Sequence, residues 1–228
     1  ARARAWRAAR DRARAKDVID EALRTDPKVP LWLYTRARDH YELGEDAKAV
    51  SDLAAALRVN KSFPIAYGLL GAALARQGDY ARALKAYDRA ATLDPDYSFA
   101  YLGRAAIRLR QGDEVSALKE FKEAVRADAN SYAPYYNRGE MHWRAGRREQ
   151  ALADFHNAMT APKLAPDAAL SIGDRYLSLQ LWADAIDAYS KARALGRAVP
   201  ALTRRAMALE GAKDPKKALA DLDEAVTL

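Results

Sequence analysis

Residues 64–97 read PIAYGLLGAALARQGDYARALKAYDRAATLDPDY, and this stretch is enough to indicate the fold. Apolar side chains recur at spacings of three, four and seven on both sides of Gly78, which indicates two amphipathic helices. The break at Gly78 and Asp79 is so short that the two helices must lie antiparallel and pack on each other. Asp94 ends the second helix, because the proline that follows disfavours helical geometry there. The stretch therefore predicts a helical hairpin.

The hairpin pattern recurs along the chain with a period of 34 residues. Two alanines seven residues apart mark each second helix, and this pair returns in every unit. A period of this length is typical of stacked repeat proteins, because a lone hairpin cannot cover both of its faces. The pairs are Ala15/Ala22, Ala49/Ala56, Ala83/Ala90, Ala117/Ala124, Ala151/Ala158, Ala185/Ala192 and, one residue early, Ala218/Ala225.

The repeat predicts an all-α solenoid of stacked antiparallel helix hairpins that forms a single domain over residues 1–228. The eighth place of each unit is Ala or Gly, which predicts a close helix contact that a larger side chain would overpack. A core column on the second helices is expected at Leu53, Tyr87, Phe121, Phe155, Tyr189 and Leu222. The predicted units are a partial one at 1–29, followed by 30–63, 64–97, 98–131, 132–165, 166–198 and 199–228.

These residues carry a family resemblance: the chain resembles tetratricopeptide repeats over essentially its whole length. The family's signature of aromatic, Leu, Gly, Ala, aromatic, Ala and Pro is matched by Tyr67, Leu70, Gly71, Ala83, Tyr87, Ala90 and Pro95. Residues 135–139 resemble a common bacterial form of the first helix, which favours a bacterial protein or a domain of a larger one. The resemblance implies a right-handed superhelix whose first helices line a concave groove.

The resemblance also implies which side chains face that groove, namely the second, fifth, ninth, twelfth and thirteenth places of each unit. Large apolar residues at these places predict a site for a partner peptide or helix. The alternative is that Ile65, Phe99 and Leu102 pack within the solenoid or lie under another segment. The predicted partner-binding residues are Tyr34, Tyr41, Ile65, Phe99, Leu102, Leu109, Tyr136, Asn137 and Trp143.

Three arginines share the thirteenth place of successive units and are expected to form a ladder along the groove edge. They are Arg76, Arg110 and Arg144. Either they form a solvated edge or they contact an acidic ligand segment. The Lys, Asn and Arg set with which some family members grip a chaperone's terminal carboxylate is not reproduced, so we do not expect that mechanism.

No pattern of catalytic or metal-binding residues is found, and we predict neither enzyme activity nor a cofactor. His40 and His142 lie three units apart, too far to share a metal ion, and His156 lies on a second helix. The sequence has no glycine-rich phosphate loop and no nucleophile motif. Acid pairs such as Asp221/Asp223 and Glu120/Glu123 are expected on solvent-facing positions.

The basic end of the chain supports a second hypothesis. Residues 1–29 hold nine Lys or Arg against five Asp or Glu, a net charge of +4 out of +7 for the whole chain. The cluster of Arg2, Arg4, Arg7, Arg10, Arg12, Arg14 and Lys16 could bind nucleic acid or an anionic surface. The repeat register continues through it, so we interpret it as the remains of a leading repeat with a solvated basic face.

The favoured function is a protein–protein interaction scaffold or adaptor that binds a partner peptide or helix in its groove. The alternative is a regulatory or self-assembly module of a larger enzyme or secretion complex, with self-association through the repeat ends. No run of 18 apolar residues occurs, so we expect a soluble protein without a transmembrane segment. Both the bacterial cytoplasm and the periplasm remain open as its location.

Overall fold

The computed structural model describes residues 18–228, and this part of the chain folds into helices joined by short turns. The predicted all-α class is confirmed. A first helix, α1, covers residues 18–25. It is followed by α2 (Pro30–Glu42), α3 (Asp46–Val59), α4 (Pro64–Arg76), α5 (Tyr80–Leu93), α6 (Ser98–Arg110), α7 (Glu114–Ala127), α8 (Ala133–Arg144), α9 (Arg148–Thr160), α10 (Pro166–Ser178), α11 (Trp182–Ala194), α12 (Ala198–Gly211) and α13 (Pro215–Thr227).

The helices fall into two compact units, and each is described by itself. Unit 1 ends at residue 128 and contains the hairpins α2–α3, α4–α5 and α6–α7. Unit 2 covers residues 129–228 and contains α8–α9, α10–α11 and α12–α13. Successive hairpins stack within a unit, as α3 on α4, α5 on α6 and α11 on α12. Stacked hairpins are the solenoid class that the period predicted, whereas the single-domain organisation and its repeat boundaries stay predictions.

Two of the turns inside the hairpins have no glycine at the place where the others do. In unit 1 each turn has a glycine with positive φ, such as Gly78 at +83°. Glycine adopts this conformation without strain because it has no Cβ atom. In the α10–α11 turn Gln180 takes this left-handed conformation instead, with φ +58°, and Lys213 does so in the α12–α13 turn. The left-handed region costs a non-glycine residue about 1 kcal/mol or more, so these two turns of unit 2 are held by the helices around them.

The core column lies where the period predicts it, with one exception. Tyr87, Phe155 and Tyr189 are almost completely buried, and each ring lies against the glycine at the eighth place of its own hairpin. A Cβ atom added at Gly71 would come within 2.8 Å of the Tyr87 ring, which is why that place is small. Leu222 is 39% exposed, so its assignment to the core was wrong. It lies on α13, and within residues 18–228 no following hairpin covers that helix.

An ion pair joins the two helices in four of the six hairpins. In each case an Arg on the first helix contacts a carboxylate 16 residues later on the second, at 2.6–2.7 Å between nitrogen and oxygen. The pairs are Arg36–Asp52, Arg104–Glu120, Arg138–Asp154 and Arg205–Asp221. The other two hairpins have apolar residues at the same places, Leu70 with Ala86 and Ile172 with Ala188.

These ion pairs correct the expectation for the acidic residues. Asp221 is buried rather than solvent-facing, because its carboxylate accepts hydrogen bonds from Arg205 between α12 and α13. Glu120 is half-buried and accepts from Arg104 in the same way. A carboxylate taken out of water needs such a charged donor, so these acids belong to the packing of the hairpins and not to a site.

Candidate functional site

Four aromatic side chains form a row along the first helices of unit 1. Within this unit α2 lies beside α4 and α4 beside α6, so their outward side chains share one surface, the first-helix face of unit 1. The ring centroids of Tyr34 and Phe63 are 5.3 Å apart, and those of Tyr97 and Phe99 are 5.8 Å apart. Phe63 and Tyr97 directly precede α4 and α6. We call Tyr34, Phe63, Tyr97 and Phe99 the aromatic row.

The middle of the aromatic row is tightly packed. The Tyr97 ring covers Gly68 so closely that a Cβ atom there would lie 2.5 Å from Cε1 of the ring. Burial raises the pKa of Tyr97 to about 12, with smaller contributions from nearby Tyr34 and Asp94. The Tyr97 ring therefore lies against α4 as well as α6, and the row consists of two ring pairs, Tyr34–Phe63 and Tyr97–Phe99.

The ends of the first-helix face of unit 1 are open to solvent. Phe99 is 44% exposed although its ring contacts Tyr97 and buried Tyr87, and Leu31 on α2 is 57% exposed. The other predicted groove residues of this unit are half-buried, and they are Tyr34, Tyr41, Ile65, Leu102 and Leu109. Leu102, Tyr34 and Tyr41 also pack against the hydrophobic core. The face thus offers two exposed apolar side chains on a firmly held aromatic support.

The arginines of this face differ in what they contact. Arg76 forms an ion pair with Asp46, donates to the carbonyl oxygen of Tyr41 at 2.6 Å, and lies over the Tyr41 ring at 3.8 Å. Arg38 and Arg110 are exposed and form no ion pair within residues 18–228. Arg38 lies one helical turn after Tyr34, whereas Arg110 lies at the end of α6 away from Phe99, about 17 Å along the helix. Both positive charges are available to an anionic group.

The predicted residues in unit 2 are engaged in packing. Tyr136 contacts Tyr132 and Phe155, with ring centroids 6.3 and 6.2 Å apart. Trp143 contacts Phe155 at 6.3 Å, and the guanidinium group of Arg175 lies 5.3 Å from its ring centroid. Asn137 is exposed, but its side-chain amide donates to the Ala133 carbonyl of the same helix at 2.8 Å. Arg144 is exposed, and in the described part of the chain it forms no ion pair.

Unit 2 also has carboxylates at predicted groove places, and each is paired with an arginine that follows it in the stack. Arg175 on α10 donates two hydrogen bonds to Glu140 on α8, at 3.0 and 2.9 Å. Arg197 contacts Asp167 at 2.7 Å and lowers the pKa of that carboxyl group by hydrogen bonding. Arg204 on α12 lies 3.5 Å from Asp174 on α10. These pairs connect successive hairpins and satisfy the carboxylates internally.

The two histidines at equivalent places have opposite neighbours. His40 Nδ1 lies 2.5 Å from Glu45 Oε2 in unit 1, whereas His142 Nδ1 accepts from Arg147 Nε at 2.9 Å in unit 2. Burial lowers the pKa of His142. Among residues 18–228, no three His, Asp or Glu side chains lie close enough together to hold a metal ion.

The sequence did not point to Phe63 and Tyr97, which complete the aromatic row. Both occupy the last place of their predicted unit, a junction that was not expected to face the groove. The signal was present, because the same place holds Ser131 and Ala165 in unit 2. An aromatic residue at a repeat junction is larger than a connection between helices requires.

The basic cluster at Arg2, Arg4, Arg7, Arg10, Arg12, Arg14 and Lys16 lies outside the described residues. The nucleic-acid hypothesis based on it therefore gains no support from the structure. Over residues 18–228, every helix is too short or too polar to cross a bilayer.

Solved structures with the same fold support the architecture. A chain of the crystal structure of the APC/C hetero-tetramer Cut9–Hcn1 matches with a TM-score of 0.65 and 16% identity, over 94% of this chain and 43% of that one. This chain therefore spans less than half of that relative. A tetratricopeptide repeat protein from Parabacteroides merdae matches with a TM-score of 0.65 and 20% identity, over 88% and 80% of the two chains.

YrrB, described as a TPR protein with an unusual peptide-binding site, matches with a TM-score of 0.50 and 21% identity, over 77% of this chain and 91% of that one. No curated protein sequence matches the chain significantly. Two family models described as tetratricopeptide repeat match, one at residues 34–98 and 136–201 and the other at 74–137. Such repeats generally mediate protein–protein interactions and are typically non-catalytic. With these matches over more than half of its length, the chain belongs to the tetratricopeptide repeat family.

Proposed function

We propose that the chain is an interaction scaffold and that the first-helix face of unit 1 binds a partner peptide with apolar anchors and nearby carboxylates. The observation that carries this proposal is the exposure of Phe99, in the aromatic row, and of Leu31 at the start of α2. Large apolar side chains kept in water at fixed positions are the usual anchors of a peptide-binding surface.

The apolar part of the face suits a side chain inserted from outside. Phe99 is supported from behind by Tyr97 and Tyr87, so its exposed ring cannot withdraw into the core. On α4, between α2 and α6, Gly68 lies under the Tyr97 ring, so this ring and not the helix backbone forms the surface there. A peptide that covers Phe99 and Leu31 would remove apolar surface from water, at about 25 cal/mol for each Å².

The charges of the same face select the partner. Arg38 and Arg110 carry no ion pair within residues 18–228, while Arg76 is held by Asp46. Guanidinium groups bind carboxylates through paired hydrogen bonds, so Asp or Glu residues on either side of the apolar anchors would satisfy both arginines. YrrB, which has this fold, is described as having a peptide-binding site, and that agrees with a peptide ligand here.

Peptide display tests this proposal directly. The full chain is panned against a random peptide library, and the enriched peptides are labelled and titrated with the protein by fluorescence anisotropy. We expect them to combine aromatic or aliphatic residues with Asp or Glu. The double variant Leu31→Ser/Phe99→Ser should weaken their binding by about tenfold or more, which corresponds to about 1.4 kcal/mol.

The chain offers a closely matched control on α12 of unit 2. Val199 and Met207 are 42% and 57% exposed, nearly the same as Phe99 and Leu31. Val199→Ser/Met207→Ser removes two apolar side chains of comparable fractional exposure and should leave peptide binding unchanged. Equal loss of binding in both variants, or enriched peptides without acidic residues, would contradict the proposal. Circular dichroism of both variants confirms that the helices remain.

A further inference from the structure

A pocket opens between α11, α12 and α13 within unit 2. Its volume is about 360 Å³, near the lower end of the about 300–1,000 Å³ that ligand pockets in proteins have. Ile186, Leu209 and Ala220 supply one apolar side chain from each of the three helices. The charged side chains that also line it are Arg193, Arg205, Lys217, Asp221 and Glu224. We call this the α11–α13 pocket.

The space exists because one packing side chain is replaced on α11. On earlier second helices the residue equivalent to Arg193 is apolar and buried in the core that its hairpin shares with the next one, as Leu57 and Met159 are. Arg193 instead extends to α13, where it forms an ion pair with Glu224 and stays 39% exposed. The space that Met159 fills one hairpin earlier is therefore open here.

Helix α12 widens the same space and gives it an apolar base. Leu209 occupies the place at which α10 has the larger Tyr176. Its side chain is buried, and Ile186 of α11 packs against the small core that Leu209 forms with Ala206 and Ala218. The base of the α11–α13 pocket is thus held in place by the packing of three helices.

The α11–α13 pocket is separate from the exposed apolar side of α13. Ala220 and Glu224 are four residues apart and face α11 and α12, whereas Leu222 and Val226 lie on the opposite side of the helix. A helix packed on that opposite side would therefore leave the pocket open. The pocket is also distinct from the first-helix face of unit 1.

The charged side chains of the pocket already have partners of opposite charge. The pairs are Arg193–Glu224, Arg205–Asp221 and Lys217–Asp214. A charged ligand would have to displace one of these partners, whereas an uncharged group enters without breaking a pair. The pocket therefore favours an uncharged ligand.

We propose that the α11–α13 pocket binds an uncharged aromatic ring carried by a side chain of a partner protein. An apolar cavity of about 150 Å³ is enough to hold benzene, so this pocket has room for a ring as large as indole. Arg193 and Arg205 hold their carboxylates through N–H groups at the edge of the guanidinium plane, and its flat faces can stack on a ring. An aliphatic side chain gains nothing from those faces.

The position of the pocket suits a side chain that projects from another protein. Lys217 and Ala220 at its rim are exposed, so the pocket is entered directly from solvent. Single aromatic side chains inserted into preformed pockets are the usual anchors of protein interfaces. This site is independent of the peptide site proposed for unit 1.

A titration with N-acetyltryptophanamide, which is uncharged and keeps the amide groups of a peptide, tests the proposal. The full chain carries labelled Ile, Leu and Ala methyl groups for NMR. We expect saturable shift changes at Ile186, Leu209 and Ala220 with a dissociation constant of about 0.1–10 mM, since one side chain supplies all the affinity. N-acetylleucinamide should bind about threefold more weakly or worse.

Three results of this titration would overturn the proposal. One is the absence of saturable changes at these three residues, and another is a leucine amide that binds as tightly as the tryptophan amide. The third is binding of free indole without binding of N-acetyltryptophanamide, because the pocket would then admit a small molecule but no side chain of a protein.

Two variants close the pocket in different ways. Arg193→Met supplies the residue that Met159 supplies on α9, and it removes only an ion pair whose side chains are both more than one third exposed. Ala220→Leu fills the pocket from α13 and leaves every ion pair in place. Each should weaken binding of N-acetyltryptophanamide by about tenfold or more, which corresponds to about 1.4 kcal/mol.

The matched control is Ala153→Leu, at the equivalent exposed place on α9, and it should bind like wild type. Leu31→Ser/Phe99→Ser should also leave the three methyl shifts unchanged, so this proposal and the one for unit 1 can fail separately. Circular dichroism confirms that each variant keeps its helices. Wild-type binding in both Arg193→Met and Ala220→Leu would overturn the proposal, because the ring would then lie elsewhere.

Discussion

The first-helix faces of the two units use the same repeat positions in different ways. In unit 1 the exposed ring of Phe99 is supported by Tyr97 and Tyr87, and Arg38 and Arg110 have no ion pair within the described residues. In unit 2 the carboxylates at Glu140, Asp167 and Asp174 are already paired with arginines of neighbouring elements. The period fixes which places face outward, but it does not determine what occupies them.

The difference shows how one repeat can serve two purposes. Places that the hairpin core does not need are free to vary. In unit 2 their carboxylates connect successive hairpins, whereas in unit 1 Arg76 does so and Arg38 and Arg110 stay exposed without an ion pair within residues 18–228. Exposed apolar surface is a cost in the free chain that a ligand can remove, and hydrated arginines beside it can pair with the ligand's carboxylates. This is the physical reason for assigning binding to unit 1 and cohesion to unit 2.

The comparison requires that the hairpin cores of both units are held together in the same way. Substitution of Asp154 tests this, and we expect it to change the free energy of unfolding more than any other substitution considered. Its carboxylate is buried against Arg138. Asp154→Ala leaves that charge unpaired and should lower the free energy of unfolding by about 3 kcal/mol.

The double variant Arg138→Ile/Asp154→Ala reproduces the residues Ile172 and Ala188 of the next hairpin. It should recover most of the loss, to within about 1 kcal/mol of wild type, because no charge is then left buried. Urea unfolding measures both variants. A double variant as unstable as the single one would show that the apolar solution does not transfer between hairpins.

Glu140 tests whether the carboxylates of unit 2 serve cohesion. It accepts two hydrogen bonds from Arg175 in the next hairpin. Glu140→Ala should lower the free energy of unfolding by about 1–2 kcal/mol, because a charge-assisted pair is lost. The affinity for a peptide selected on the wild-type chain should not change. A loss of peptide affinity with unchanged stability would reverse the roles given to the two units.

Arg38 and Arg110 test the charge part of the unit 1 face. Arg38→Gln/Arg110→Gln should weaken binding of an acidic peptide by about fivefold to tenfold and reduce the salt dependence of the affinity. Thermal stability should stay the same, since neither arginine has an ion pair in residues 18–228 to lose. Arg144→Gln, on α8 of unit 2, is the matched control and should bind like wild type.

The smallest predicted effect is the pH dependence of stability that comes from His142 in unit 2. Its pKa is lowered because burial disfavours the charged ring, with Asp154 opposing this and Arg138 adding to it. Below pH of about 6.5 the unfolded chain therefore takes up a proton that the folded chain resists, so stability falls as the pH decreases through this range.

The loss should develop between about pH 7 and 5, as the unfolded chain binds the proton. His142→Gln keeps an acceptor for Arg147 and should flatten the decrease, whereas His156→Gln, an exposed control, should not. Denaturant unfolding at a series of pH values provides the measurement. An unchanged pH dependence in His142→Gln would exclude this residue as its source.

The sequence predicted the fold and part of the candidate site, and the reasons are physical. Periodicity identifies each hairpin because the same small and large residues must return wherever the same helix contact returns, as Gly71 and Tyr87 show. Of the predicted groove residues, Phe99 is exposed and Leu102 packs against the core, and their part in binding stays a prediction. What it missed depends on contacts between elements, which no local pattern describes.

Asp221 illustrates this limit. Its acidic neighbours suggest a solvated surface, and only the approach of Arg205 from α12 makes its burial favourable. A spacing of 16 residues between Arg and Asp or Glu, returning in four hairpins, was the available signal. Leu222 shows the opposite case, because its place in the column predicts burial only if another helix covers α13.

The central claim is that the first-helix face of unit 1 binds the peptide. The most direct measurement is a titration of the isotope-labelled full chain with one selected acidic peptide, followed residue by residue in NMR spectra. We predict shift changes at Leu31, Phe99, Leu102 and Arg110 and none at Asn137, at the indole of Trp143 or at Met207. Shift changes confined to the residues of unit 2, with those of unit 1 unmoved, would contradict the account.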